Sequence, residues 1–233
     1  MDNLTIELKI NERVNKLDSN DYDNIHRWKI IEAFNKASVD WCRRQLHGTN
    51  LSKTGDEQSK RRIDDLQVLL RPYDLEMAKE DCYFGSSNWP KDYFEYKRVG
   101  FTGKTECCEK SKFVTTLVEE ANIDVLLRDF LKKPSYNWGE TLVTLSNNTV
   151  KIWTNNEFTI PKATLTYYKQ PTRIEMVGVS DPYTGNVSAT EVVSEFKDDI
   201  VEVHIDEAVK IISGDMEYMA SIQIADKSVE SNN

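Results

Sequence analysis

Gly103-Lys104-Thr105 is the tripeptide in this chain that first invites a chemical reading. A phosphate-binding loop also needs a glycine five positions before that one, so that successive backbone N–H groups can wrap the phosphates, and Arg98 stands there instead. Phosphate binding is therefore not expected. His26, His47 and His204 are the only histidines. None sits in the H-E-x-x-H frame that sets two imidazoles and a general base on one helical face, and surface or helix-end positions are expected for all three. The acidic doublets Asp64-Asp65, Glu119-Glu120 and Asp198-Asp199 do not make acid/base pairs by themselves, because sequence neighbours point to different faces. Of the four cysteines, Cys42 falls in an apolar stripe, Cys82 stands alone, and Cys107 with Cys108 is a vicinal pair. No C-x-x-C spacing of a zinc site results, and reduced thiols without a ligand role are expected. The chain has no G-x-S-x-G nucleophile elbow. No catalytic group, metal or cofactor is expected.

What remains is charge. Arg43-Arg44 and Lys60-Arg61-Arg62 place five cations close to one loop, suited to an acidic protein surface or a phosphate backbone if they do more than solvate a face. The 233 residues carry a formal net charge of −9, against the basic footprint of a general nucleic-acid binder. Residues 1–72 hold 13 Lys and Arg against 12 Asp and Glu, leaving 17 of the 30 cations and 27 of the 39 acids for residues 73–233. The first third is thus near neutral and the rest acidic. No apolar run approaches the roughly 20 residues needed to cross a bilayer, and residues 1–10 carry acids where a signal peptide would be basic and then apolar. The cytosol, or a particle assembled there, is the expected location.

The element that must position these cations is a long amphipathic helix over residues 21–48. Ile30, Ile31, Phe34, Ala37, Trp41 and Cys42 recur at three-and-four spacing, with Asp21 or Asp23 as an N-terminal cap and Gly48 as a left-handed C-terminal cap. Glu32 with Lys36 and Asp40 with Arg44 are acid-before-base pairs worth about 0.2–0.5 kcal/mol each. Ile6, Ile10, Val14 and Leu17 predict a short helix over 4–17, joined to the long one by a polar linker; Ile63, Leu66 and Leu70 predict a third, stopped by Pro72.

The period then changes to two. Strands are predicted at 93–101, 113–118, 141–145, 149–154, 157–160 and 163–168, and a short helix at 123–131, capped by Asn122 and ended by Pro134. Asn147-Asn148 and Asn155-Asn156 are hairpin turns, since asparagine tolerates positive φ, and the result is an antiparallel meander whose last strand is bracketed by Pro161 and Pro171. A turn-rich loop fills 181–189. The helical period returns from Glu202 through Ile205, Ala208, Val209, Ile212, Met216 and Met219, with Gly214 a weak point, and could close back on the first helices. The expected fold class is α+β: an N-terminal helical bundle over 1–75, a mainly antiparallel β insertion over 76–198, a C-terminal helix over 199–225 completing the bundle, and a disordered polar tail over 226–233.

Phe34-Asn35-Lys36-Ala37, Trp41-Cys42-Arg43-Arg44-Gln45, Trp89-Pro90-Lys91-Asp92-Tyr93-Phe94, Leu165-Thr166-Tyr167-Tyr168-Lys169-Gln170-Pro171 and Ile205-Asp206-Glu207-Ala208-Val209 occur here in an order that resembles head-to-tail connector proteins of tailed bacteriophages. The pattern is most similar to the ring (adaptor) proteins beneath the portal of crAss-like phages. The resemblance implies a non-enzymatic homo-oligomer, commonly a ring of twelve copies, contacting the portal protein and other connector or tail proteins. Phage DNA would pass through the channel without sequence-specific binding, and no membrane is involved. The β region is larger than in simple helical adaptors, so which ring this is stays open. Another virion component, such as a tail or baseplate subunit, or a cytosolic α+β binding module is the alternative. On this reading Trp28, Trp41, Arg43, Arg44, Lys60, Arg61 and Arg62 are candidate subunit-interface residues. The two tryptophans serve as anchors only if the intramolecular core does not consume them.

Overall fold

The computed structural model describes residues 1–15, 25–47, 64–106, 108–110, 113–180 and 185–215. Asp21, Asp23, Gly48, the Lys60-Arg61-Arg62 cluster, Ile63, Cys107, Met216, Met219 and the tail 226–233 lie outside them. The fold is mixed α+β with two sheets, mostly antiparallel. The chain divides into two compact units, Met1–Val68 with Pro171–Asn233, and Leu69–Gln170.

The described part of the first unit includes the helices α1 (Asn3–Asn15), α2 (Arg27–His47) and α4 (Asp198–Asp215), numbered in chain order with α3 in the second unit. Ile6, Ile10 and Val14 of α1, and Ile30, Phe34, Ala37, Trp41 and Cys42 of α2, are buried as their spacing predicts. The long helix starts at Arg27, later than the expected 21. His26 takes the cap position, its carbonyl accepting from the N–H groups of Lys29 and Ile30 at 2.9 and 3.4 Å. Helix α4 begins earlier than expected, at Asp198, so Ile200 and Val201 join the buried stripe of Ile205, Ala208, Val209 and Ile212. Two asparagines tie the segment leading into α4 to the helices. Asn3 donates to the carbonyls of Glu175 and Val192 at 2.9 Å each, and Asn35 accepts from the Ile174 N–H at 2.8 Å.

The second unit is two sheets packed face to face. One runs β1 (Leu70–Leu75), β9 (Thr159–Lys169), β4 (Tyr93–Lys104), β5 (Glu109–Lys110); the other runs β2 (Met77–Lys79), β3 (Tyr83–Ser86), β8 (Thr149–Trp153), β7 (Glu140–Ser146), β6 (Val114–Leu117). Val99, Phe101, Ala163 and Leu165 from one sheet meet Phe84, Val143, Val150 and Ile152 from the other in one core. Because strand side chains alternate, Leu142 points the opposite way from Val143. It packs with Trp153 and Ile123 under the short helix α3 (Ile123–Arg128) on the outer face.

Several local expectations are corrected. Residues 64–66 are helical and run into a 3-10 turn, Gln67–Leu69, but Leu70 and Pro72 belong to β1 rather than to a helix stopped by Pro72. β1 is an edge strand, where a residue without an N–H is tolerated. The strands expected at 157–160 and 163–168 are one strand, β9, and Pro161 lies inside it. The β4 ladder slips there, Thr102 facing Lys162 and Lys104 facing Thr159, so proline sits at an irregularity that asks for no donor. The meander is also broken. Asn147 and Asn148 (φ 48° and 58°) join the paired strands β7 and β8, but Asn155 and Asn156 (φ 48° and 60°) turn the chain from β8 in one sheet to β9 in the other. β6 and β7 are parallel, connected through α3. Asn122 precedes α3 without a side-chain cap; its amide goes to Glu119 at 3.3 Å, and the helix stops at Arg128, short of Pro134.

Candidate interaction surfaces

The chemical candidates resolve first. Gly103 and Lys104 end strand β4, with no helix following, so the setting of a phosphate loop is missing. Gly103 has a packing reason to be glycine: a Cβ there would stand 2.7 Å from the Phe113 ring and 3.2 Å from that of Phe158. Among the described residues no group of three His, Cys, Asp or Glu side chains is placed to hold a metal ion, and no helix is long and apolar enough to cross a membrane.

His204 is the main surprise. It was expected at a surface or helix end, yet it is 0% exposed in the middle of α4. Its position, four after Ile200 and four before Ala208, puts it on the buried stripe, a signal readable once the helix is extended back to Asp198. The imidazole is enclosed edge-on by Phe34, Trp41 and Phe196 at centroid distances of 5.7, 5.2 and 5.0 Å, and its Nδ1 lies 3.1 Å from Ser38 Oγ. A serine within hydrogen-bond reach of a histidine is the smallest unit of nucleophilic catalysis. Here the pair is sealed from solvent and Nε2 has no hydrogen-bond partner to orient it. Burial, followed by the nearby Arg44 charge, pushes the His204 pKa down to about 3, so it is a neutral core group and not a base poised near pH 7.

Of the expected interface residues, Trp41 is consumed by the core at 4% exposure, packing edge-on to Phe196, and is not a surface anchor. Arg44 is committed within the chain: its two terminal nitrogens donate to both carboxylate oxygens of the buried Glu207 at 2.8 and 2.9 Å. A bidentate pair of this kind is directional as well as ionic. Arg43 is exposed on α2. Trp28 is half-buried on the wall of a shallow recess of about 410 Å³, with the Lys29 ammonium 5.7 Å above its ring.

Two further acids of α4, Glu202 and Asp206, are likewise engaged within the chain. Lys9 and Arg13, one turn apart on α1, pair with Glu202, and Arg13 also with Asp206. Burial raises the Glu202 carboxyl, but hydrogen bonds from Lys9 and Arg13 outweigh it and its pKa is lowered. Sequence reasoning missed this seam. Its signal was a four-residue spacing of cations on one helix matched by the same spacing of acids on another.

The apolar surface left in water lies elsewhere. Leu4 and Leu8 on α1 are 53% and 61% exposed, and in the second unit Phe130, Leu131 and Trp138 are each more than 60% exposed. Large contiguous apolar patches on other proteins are commonly places where partners bind. No protein-family model matches the chain, and no curated protein is significantly similar to it in sequence.

Proposed function

We propose that this chain is a non-enzymatic structural subunit of a tailed-phage virion that forms a ring in the head-to-tail connector beneath the portal, around the DNA channel. The order of sequence motifs supports this reading. So does a fold read as helices α1 and α2 completed by α4, with the β unit inserted between α2 and α4. The observation that carries the proposal is the exposure of large apolar side chains at two separate places, Leu4 with Leu8 on α1 and Phe130 with Trp138 in the β unit. A ring of identical copies needs two different patches on each subunit, one to give and one to receive, because its contacts are heterologous. Cations that hold phosphate would impede sliding DNA, and an excess of 39 acids over 30 cations suits a channel wall.

In this reading Arg43 and Trp28 remain interface candidates. Trp41 and Arg44 serve the fold of each copy. Cryo-electron microscopy of the virion is the test: symmetric copies of the chain, twelve in the expected case, should encircle the DNA axis between portal and tail. A single copy away from that axis would overturn the proposal in favour of a binding module.

A further inference from the structure

The connection from β6 to β7 displays apolar side chains on an ordered backbone. Phe130, Leu131 and Trp138 are 77%, 66% and 64% exposed, and Val125 on α3 is 71% exposed. The Asp129 carbonyl accepts from the Lys132 and Lys133 N–H groups at 3.1 and 2.9 Å, and the Asp129 carboxylate accepts from the Leu131 N–H at 3.0 Å. Around Trp138, the Gly139 N–H donates to the Ser135 carbonyl at 3.0 Å, and the Gly139 carbonyl accepts from Val114 at the start of β6 at 2.7 Å. The turns therefore hold these side chains outward, with little ordering left for a partner to impose.

The lobe is rimmed by cations although residues 73–233 as a whole are acidic, with 27 acids against 17 cations. Arg128 and Lys132 are exposed, and the Lys133 ammonium stands 5.2 Å over the Phe130 ring. The acids within it are Asp124, exposed on α3, and Asp129, which is engaged by the Leu131 amide and lies 3.7 Å from the Lys132 ammonium. The opposite edge of the same five-stranded sheet is β2, and it carries the opposite sign: Glu76, Glu80 and Asp81 are exposed around it, with Lys79 the one cation between Glu76 and Asp81. Four inter-strand steps of about 4.8 Å separate the edge strands β6 and β2 by roughly 19 Å. Within one copy α3 packs on Cys82 and Tyr83 beside β2, yet Phe130, Leu131 and Trp138 stay exposed and can be covered by a second copy.

We infer that the apolar, cation-rimmed lobe formed by residues 123–138 of one copy docks against the acidic β2 edge of a second copy. This rests on reading the chain as a repeated subunit, and it names the contact. The contact is heterologous: lobe meets edge, and each copy keeps a free lobe and a free edge for the next. Phe130 and Trp138 supply the desolvated centre, while Arg128, Lys132 and Lys133 guide approach to Glu76 and Asp81.

Charge exchange tests this with the full-length chain. The lobe variant Lys132→Glu/Lys133→Glu and the edge variant Glu76→Lys/Asp81→Lys are each compared with the native chain by sedimentation velocity across a concentration series. The native chain should associate beyond its 27.0 kDa mass, and each variant alone should associate at least tenfold more weakly. An equimolar mixture of the two variants should associate again, because each acidic lobe then meets a basic edge and each native lobe meets a native edge. Misfolded variants could not regain assembly on mixing, so recovery also controls for folding. Phe130→Ser should weaken association without being rescued by either variant. Native-like association of the lobe variant, or a mixture that stays apart, overturns this contact while leaving a ring built on other surfaces possible to see in the virion. A native chain that stays monomeric but co-sediments through its lobe with anionic phosphatidylserine vesicles overturns it in favour of a lipid surface. Failure of the connector reading is seen separately, as the absence of symmetric copies on the DNA axis.

Discussion

At the scale of single residues, His204 ties the stability of the helical unit to pH. Its folded pKa is pushed down to about 3 from an ordinary 6.5 by burial. A depressed value means that protonation favours the unfolded chain. The stabilising contribution is complete above about pH 6.5 and declines as pH falls towards 3, at up to about 1.4 kcal/mol per pH unit. Urea unfolding at pH 7 and pH 5 should show this loss in the native chain and a shallower one in His204→Phe, which keeps an aromatic ring inside the Phe34, Trp41 and Phe196 cage. Equal losses in both chains would assign the acid sensitivity to other groups. Why His204 was not legible in the sequence is also a residue-scale matter. A polar residue on an apolar stripe is recognised as core only when the stripe is extended far enough on both sides, and Ile200 and Val201 precede the point where the helical period becomes obvious. Trp41 was legible as apolar and in register, but whether a tryptophan serves the core or a partner depends on Phe196, which reaches it from 155 residues away in sequence.

At the scale of elements, the turns were legible and the sheets were not. Asn147-Asn148 and Asn155-Asn156 all adopt the positive φ that asparagine permits, as expected. Identical turn chemistry nevertheless produces a hairpin within one sheet in the first case and a passage between sheets in the second. The difference lies in which neighbours offer free edges: β9 finds β1 on one side and β4 on the other. Pro161 and Pro72 misled for a related reason, since a proline excludes only a paired N–H and both occupy places where none is asked for. Gly103 makes the opposite point, because its small size is required by the aromatic cluster of Phe101, Phe113 and Phe158, whose ring centroids lie 4.7–6.0 Å apart. Gly103→Ala would drive a methyl group into the Phe113 ring and should cost about 1–3 kcal/mol, measured as a lower denaturant midpoint for the β unit. Restoration by Phe113→Leu in the double variant is the expected signature of a clash; an additive loss would point instead to the backbone.

At the scale of the whole molecule, the change of period from about 3.6 to 2 and back was legible as α+β, while the borders were not. β1 draws residues 70–75 into the β unit, and the segment 171–197 falls with the helical one. Local pattern cannot assign a segment with no strong period, and this one is held by side chains as ordinary as Asn3 and Asn35. The chain enters the β unit at Leu69 and leaves it at Gln170, and Leu70 pairs directly with Tyr168. Entry and exit are thus neighbours, and replacing residues 70–169 with a short Gly-Ser linker should leave the helices folded, with far-ultraviolet circular dichroism of a helical protein and cooperative thermal unfolding. A non-cooperative melt would show that the helical unit depends on the β unit. The pairing of β1 with β9 carries a mechanical consequence as well. Six residue pairs, from Leu70 with Tyr168 to Leu75 with Ala163, stand in line behind the point where the two strands leave the unit together. Tension drawn through that stem loads the ladder at its first rung and peels it pair by pair like a zipper, whereas strands pulled from opposite ends would bear the load in shear across all six at once.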